Sequence, residues 1–407
     1  MYVLRTIEDF LLRASARFPV VVVTGARQVG KTTTLRRIAE PQRTYVTLDD
    51  PLVLDLARRD PALFFQRFRP PLLVDEIQYA PQLLPYIKML VDAERRPGML
   101  WLTGSQQFHV MKGMSESLAG RVAIVRMLGL SLREAMGLGD QDRPFVPDMG
   151  GILARQAQVP SVSLSDLYRR IWLGSLPAIA LDDSPERDAF FGSYVQTYLQ
   201  RDLRDLARVG DELAFLRFVR ACAARTAQLL NAAELARDSD VAPNTAKAWL
   251  SILEASGIVF LLESYHSNLT KRLVKAPKLH FVDTGLCAYL TGWTTPESLE
   301  AGAMSGPILE TWVVGELLKT WWHNGPNPPV WHVRDRGGLE VDVVIVHDGT
   351  IYPLEIKKTA SPRVSDVGAF RRLSALGARV GPGGIVCLSP NVLPLTEMAC
   401  AIPVGAL

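Results

Sequence analysis

The chain has 407 residues, 48 % hydrophobic and 21 % charged, with a formal net charge of +3. That length suggests about two or three domains, and the composition excludes a disordered or fibrous chain while supplying ample core. The weak positive charge permits nucleic-acid binding without arguing for it, and no apolar run approaches the roughly 18 residues that span a bilayer.

Four cysteines, Cys222, Cys287, Cys387 and Cys400, lie far apart without C-x-x-C spacing, so neither a disulfide framework nor a zinc site is expected. The start leads into an amphipathic helix pattern, IEDFLLRASARF, rather than a signal peptide. A reducing cytoplasm is the expected compartment. No internal repeat or low-complexity tract stands out.

Val20 to Thr34 reads VVVVTGARQVGKTTT. Four valines predict a buried parallel strand, followed by a Gly-rich turn and a helix beginning near Lys31. Gly25, Gly30, Lys31 and Thr32 fill G-x-x-x-x-G-K-[ST], a P-loop. In such a turn, here Gly25, Ala26, Arg27, Gln28, Val29, Gly30, Lys31, Thr32 and Thr33, backbone N–H groups point inward at phosphates and the helix N-terminus adds its dipole. Lys31 is expected to bridge the β/γ oxygens of ATP and Thr32 to hold Mg²⁺.

Thr44 to Leu48 alternates like a strand, and PLLVDEIQ places Asp75 and Glu76 at the end of another, a Walker B element. Asp75 is expected to hold the Mg²⁺ through water, and Glu76 to polarise the attacking water. After a helix over Leu83 to Arg95, MLWLTGSQQ predicts a third strand with Thr103, Ser105 and Gln106 at its end. Ser105 or Gln106 is the expected sensor of the γ-phosphate. Lys112 and Arg121 are alternative cations for presentation to a neighbouring subunit's nucleotide, or solvated surface charges. Strands alternating with helices predict a parallel α/β sheet over residues 1–140.

Residues 140–160 read as a polar, Gly/Pro-containing linker, and 141–212 as linker plus a helical lid. Arg201, in YVQTYLQRDLRD, is a second sensor or an i,i+4 partner of Asp205. Residues 213–290 predict a winged helix: Asn231 to Tyr265 read as helix, turn, helix and strand. Asn244, Thr245 and Lys247 stand at the start of a recognition helix. Lys271, Arg272, Lys275 and Lys278 predict a basic wing contacting DNA phosphates.

Within residues 291–407, Pro307 to Thr320 (PILETWVVGELLKT) reads as an amphipathic helix carrying Glu310 and Glu316. LEVDVVIVHDG and TIYPLEIKKTAS then predict paired strands. Asp342 and Glu355 can share one metal ion, Glu310 or its rival Glu316 can complete the shell, and Lys357 faces the same side as Glu355. These are the parts of a metal-dependent phosphodiesterase.

Nearly the whole chain, from TGARQVGKTT through LLVDEIQ, LTGSQ, SLAGR and YVQTYLQRDL to E…VDVVI…LEIKK, resembles a bacterial and archaeal family of AAA-type P-loop ATPases with a C-terminal PD-(D/E)xK endonuclease-like domain. The resemblance implies an α/β fold: an AAA+ ATPase core with helical lid, a winged-helix segment and a restriction-endonuclease-like domain. It also implies ATP hydrolysis with Mg²⁺, a homo-oligomer such as a hexameric ring, and a link to nucleic acid. The usual proline before the motif aspartate is Val341 here, which weakens the case for cleavage. Three readings follow: an ATPase acting on branched or structured DNA, an ATP-regulated metal-dependent endonuclease, and a STAND-type switch that binds a protein.

Overall fold

The computed structural model describes residues 2–104, 118, 120–182, 185–198, 212–265, 275–335 and 337–407. Its first sheet contains β1 (Val20–Thr24), β2 (Thr44–Thr47), β3 (Leu72–Asp75), β4 (Leu100–Gly104) and β5 (Val122–Arg126) in the order β2–β3–β4–β1–β5. All four pairings are parallel. With β4 between β1 and β3, the P-loop after β1, Asp75 and Thr103 converge at one edge of the sheet, where parallel α/β sheets bind ligands.

The valine run of β1 is buried throughout, as a central parallel strand requires. Val20 and Val22 face a core formed with Phe64, Leu83 and Ile87 from helices Pro61–Arg67 and Leu83–Glu94. Val21 and Val23 face the opposite way, into a second core shared with Phe215, Trp249, Leu317 and Trp321. That second core is continuous from the first sheet to the rest of the chain.

Residues 140–160 are not an open linker. Asp148 caps the helix Met149–Gln158 through Gly151 N, and buried Asp142 lies 3.2 Å from Arg133 and 3.0 Å from Arg155. The polar composition that suggested a connector is used in these buried ion pairs.

A second unit runs through helices Glu212–Ala224, Ala232–Asp238 and Pro243–Ala255, with β6 (Gln228–Leu229), β7 (Val259–Leu262) and β8 (Lys278–Phe281) forming a small antiparallel sheet, β6–β8–β7. Asn231 caps one helix by accepting from Ala233 N and Glu234 N, and Pro243 opens the next.

The third sheet is mixed. It comprises β9 (Val330–Arg334), β10 (Glu340–His347), β11 (Thr350–Ile356), β12 (Arg379–Val380), β13 (Gly383–Cys387), β14 (Leu393–Thr396) and β15 (Ala399–Pro403). Its order is β14–β15–β13–β11–β10–β9, with β12 beside β11. The helix Ser305–Trp322 precedes it. This helix is buried nearly all round, not amphipathic: Lys319 donates to Leu130 O, Glu316 accepts from Leu132 N, and Thr311 meets Thr226. A helix packed on every side retains few exposed positions to mark a polar face. All four cysteines are buried and unpaired. Among the described residues no helix is long and apolar enough to cross a membrane.

Candidate functional site

The P-loop turn uses its glycines where a side chain cannot go. Gly25 has φ 152°, and a Cβ there would stand 2.1 Å from the Met127 carbonyl oxygen; Gly30 has φ 97°. Lys31 is buried beneath the turn, and its ammonium donates to Gly25 O at 3.0 Å and Ala26 O at 2.8 Å. Burial pushes this ammonium down to about 8, against the upward pull of Glu76 and Asp75. A buried ammonium that donates to two carbonyls of a Gly-rich turn at a helix N-terminus suits a polyphosphate. Arg5 braces the loop from behind: its guanidinium donates to Val29 O, Leu128 O and Gly129 O and lies 3.2 Å from Glu134.

Asp75 is the hub of the opposite wall. Thr32 Oγ1 donates to its Oδ1 at 2.7 Å, Tyr45 donates to its Oδ2 at 3.0 Å, and Thr103 Oγ1 bonds the same carboxylate. Thr32 and Asp75 offer hard oxygen donors side by side, which fits Mg²⁺. Glu76 follows in a left-handed conformation, φ 58°, that a non-glycine residue rarely adopts. Its N–H donates to Thr103 Oγ1 at 3.0 Å, and its carboxylate accepts from Gln78. Such strained positions cluster at functional sites. Thr103 stands two residues before Ser105, the first of the expected sensors, near the end of β4, and Tyr45 reaches in from β2. Sequence reading missed Tyr45 and Arg5, because each acts through a partner distant in sequence.

Ser105, Gln106, Lys112, Arg201, Lys271 and Arg272 lie outside the described residues. Arg121 precedes β5, at the edge opposite the P-loop, 2.6 Å from Asp92. It does not reach this chain's own phosphate site.

The second unit touches the P-loop directly. Gly257, in the turn ending helix Pro243–Ala255, would place a Cβ 3.6 Å from Ala26 N. Beside it, Arg27 stacks over Tyr198 at 5.5 Å, and the Tyr198 hydroxyl reaches Ser256 O at 3.5 Å. At the other end of that helix Asn244 and Lys247 are exposed, and Thr245 is half-buried. Lys275 donates to Arg334 O at 2.9 Å, tying it to β9. Lys278 does not belong to a solvated basic face. β8 is the central strand of its sheet and buried throughout, so the Lys278 side chain is 4 % exposed and donates to Glu310.

The C-terminal carboxylates do assemble. β10 carries a register shift between Val341 and Val344, a bulge that re-aims Asp342. Asp342 accepts from Ile356 N and shares a hydrogen bond with Glu355. Burial, then the Asp342 charge, pushes Glu355 up to about 8, while Lys357 lies 3.1 Å from it. Burial pushes Glu310 up to about 7, opposed by Lys278 at 2.7 Å. Lys278 also lies 3.6 Å from Asp342. Glu316 is elsewhere, bonded to Lys319 and Leu132 N, so of the two helix carboxylates Glu310 is the one at the cluster. Among the described residues no three His, Cys, Asp or Glu side chains are arranged to hold a metal ion. This cluster does not fit one.

A parallel sheet with a Gly-rich turn, a buried lysine and a Thr–Asp pair at one edge is the arrangement of a P-loop ATPase domain. Residues 17–136 match the family described as AAA domain. Residues 164–297 and 305–407 match two domains of unknown function, DUF8612 and DUF4143. The uncharacterized proteins Mb2031c of Mycobacterium bovis and Rv2008c of Mycobacterium tuberculosis are each 31 % identical to this chain over 396 residues, covering 97 % of it and 82 % of theirs. The chain belongs to their family. Among solved structures, the Walker-type ATPase PABY2304 of Pyrococcus abyssi aligns at a TM-score of 0.45 and 14 % identity, over 70 % of this chain and 94 % of that one. A DNA replication initiation factor aligns at 0.22 and 11 % identity, over 61 % and 86 %.

Proposed function

We propose that this chain hydrolyses ATP and couples turnover to binding and remodelling DNA, branched or otherwise structured, through the unit at 213–290 read as a winged helix. The observation that carries the reading is the helix Pro243–Ala255. One end exposes Asn244 and Lys247, where a recognition helix meets a groove, and its other end abuts the P-loop at Ala26. A rigid helix of 13 residues, about 20 Å long, is a lever between nucleotide and groove. Lys31 and the P-loop amides bind the phosphates, and Glu76 takes the proton from the attacking water. Thr32 and Asp75 would hold Mg²⁺, which when bound would supply charge neutralisation at the phosphates. Arg121, on the far edge of the sheet, suits a cation offered to another subunit of a homo-oligomer, with a hexameric ring the expected form. The C-terminal unit is read as endonuclease-like in fold and as a DNA-binding rather than a cutting element.

The test is the ATPase rate of the full chain with duplex, single-stranded, forked and four-way-junction DNA. Stimulation by one of these supports the reading. A rate unchanged by every DNA at saturation rejects it in favour of a nucleotide-gated switch that binds a protein.

A further inference from the structure

The C-terminal cluster has the carboxylates of a metal centre and, among them, a cation of the chain's own. Lys278 arrives from β8, outside the C-terminal sheet, and is buried. Its ammonium lies 2.7 Å from Glu310 and 3.6 Å from Asp342, while Lys357 lies 3.1 Å from Glu355. Each of the three carboxylates therefore has a lysine within ion-pair reach. The two ammonium groups supply the two positive charges that one divalent ion would bring. An ion placed between Glu310 and Asp342 would sit at contact distance from a buried ammonium, and that repulsion is weakly screened by solvent.

We propose that Lys278 is a built-in substitute for a divalent cation. It occupies the carboxylate cluster, keeps metal ions out, and fastens the β7–β8 hairpin to the C-terminal sheet. Charges taken from water are costly unless paired, so withdrawing Lys278 leaves buried carboxylates that take up either protons or another cation, and a divalent ion competes with the protons for their oxygens. The two roles are therefore exclusive: with Lys278 seated the cluster is a joint, and without it the same oxygens are hard donors of the kind Mg²⁺ or Mn²⁺ takes. The buried cation at a carboxylate trio also accounts for a phosphodiesterase-like arrangement that lacks a metal-holding group of three. The inference depends on neither ATP turnover nor DNA binding.

The experiment is Mn²⁺ binding to the full chain without nucleotide, followed by electron paramagnetic resonance, with Glu355→Gln subtracted to remove ions bound elsewhere. The unsubstituted chain is expected to show no site that depends on Glu355. Lys278→Met is expected to gain one, lost again in Lys278→Met/Glu355→Gln. Should Lys278→Met not fold, Lys278→Met/Glu310→Gln removes one charge of each sign and carries the same expectation through Asp342 and Glu355. A Mn²⁺ site in the unsubstituted chain that Glu355→Gln abolishes overturns the proposal. A folded Lys278→Met chain that gains no site overturns it as well.

Discussion

Thr103→Val removes one hydroxyl at almost constant volume from a fully buried position. Two bonds go with it: the one Thr103 makes to Asp75, and the one its oxygen accepts from Glu76 N at 3.0 Å. A hydrogen bond to a charged group contributes about 1.5–3 kcal/mol, and a stranded buried N–H costs about 1–3 kcal/mol. Because both losses share one oxygen, unfolding free energy is expected to fall by about 2–4 kcal/mol rather than by the full sum. The functional loss is expected to be separate. Glu76 holds a left-handed backbone that costs about 1–3 kcal/mol, and Thr103 is its anchor. If about 2 kcal/mol of that positioning is lost at the transition state, turnover drops roughly thirtyfold. Urea denaturation reads the first effect and phosphate release at saturating ATP the second. A Thr103→Val chain with an unchanged midpoint and unchanged turnover would refute the assignment of Thr103 as the group that sets both carboxylates.

Nucleotide affinity is expected to depend on pH through Lys31. In the free chain its ammonium loses its proton near 8, whereas phosphates in the loop keep it charged. Affinity is therefore full below that value and falls as pH rises through it, about tenfold between pH 7 and 9, readable with a fluorescent nucleotide. Gly25→Ala sets a Cβ 2.1 Å from Met127 O and is expected to abolish ATP binding while calorimetry shows a lowered Tm. Lys247→Ala is expected to weaken DNA binding at every sequence and reduce the salt slope by about 1, measured by anisotropy across a salt series.

The P-loop site was legible because its residues are contiguous in sequence. A strand, a turn and a helix start are contiguous in VVVVTGARQVGKTTT, and LLVDE closes with its carboxylates at the strand end. Spacing put Glu355 and Lys357 on one side, since alternate residues of a strand share a face, and the pairing of their strand with the one before brought Asp342 beside Glu355. What could not be read depends on partners far apart in sequence. Arg5 bonds carbonyls more than 120 residues away, and Lys278 reaches Glu310 across 32. A lysine in a basic stretch reads as solvated until its strand is seen to be buried. The helix Ser305–Trp322 misled for a related reason. Glu316, Lys319 and Thr320 look like a polar face, yet each is buried against a loop of the ATPase region or its own helix.

Phosphate release by the Glu76→Gln chain, compared with the unsubstituted one in the same Mg²⁺–ATP solution, tests the central claim most directly. The amide keeps the shape of the side chain but cannot take a proton from water. The account predicts ATP retained on the protein with hydrolysis slowed at least a hundredfold. Turnover at the unsubstituted rate would contradict it and move the base away from the end of β3.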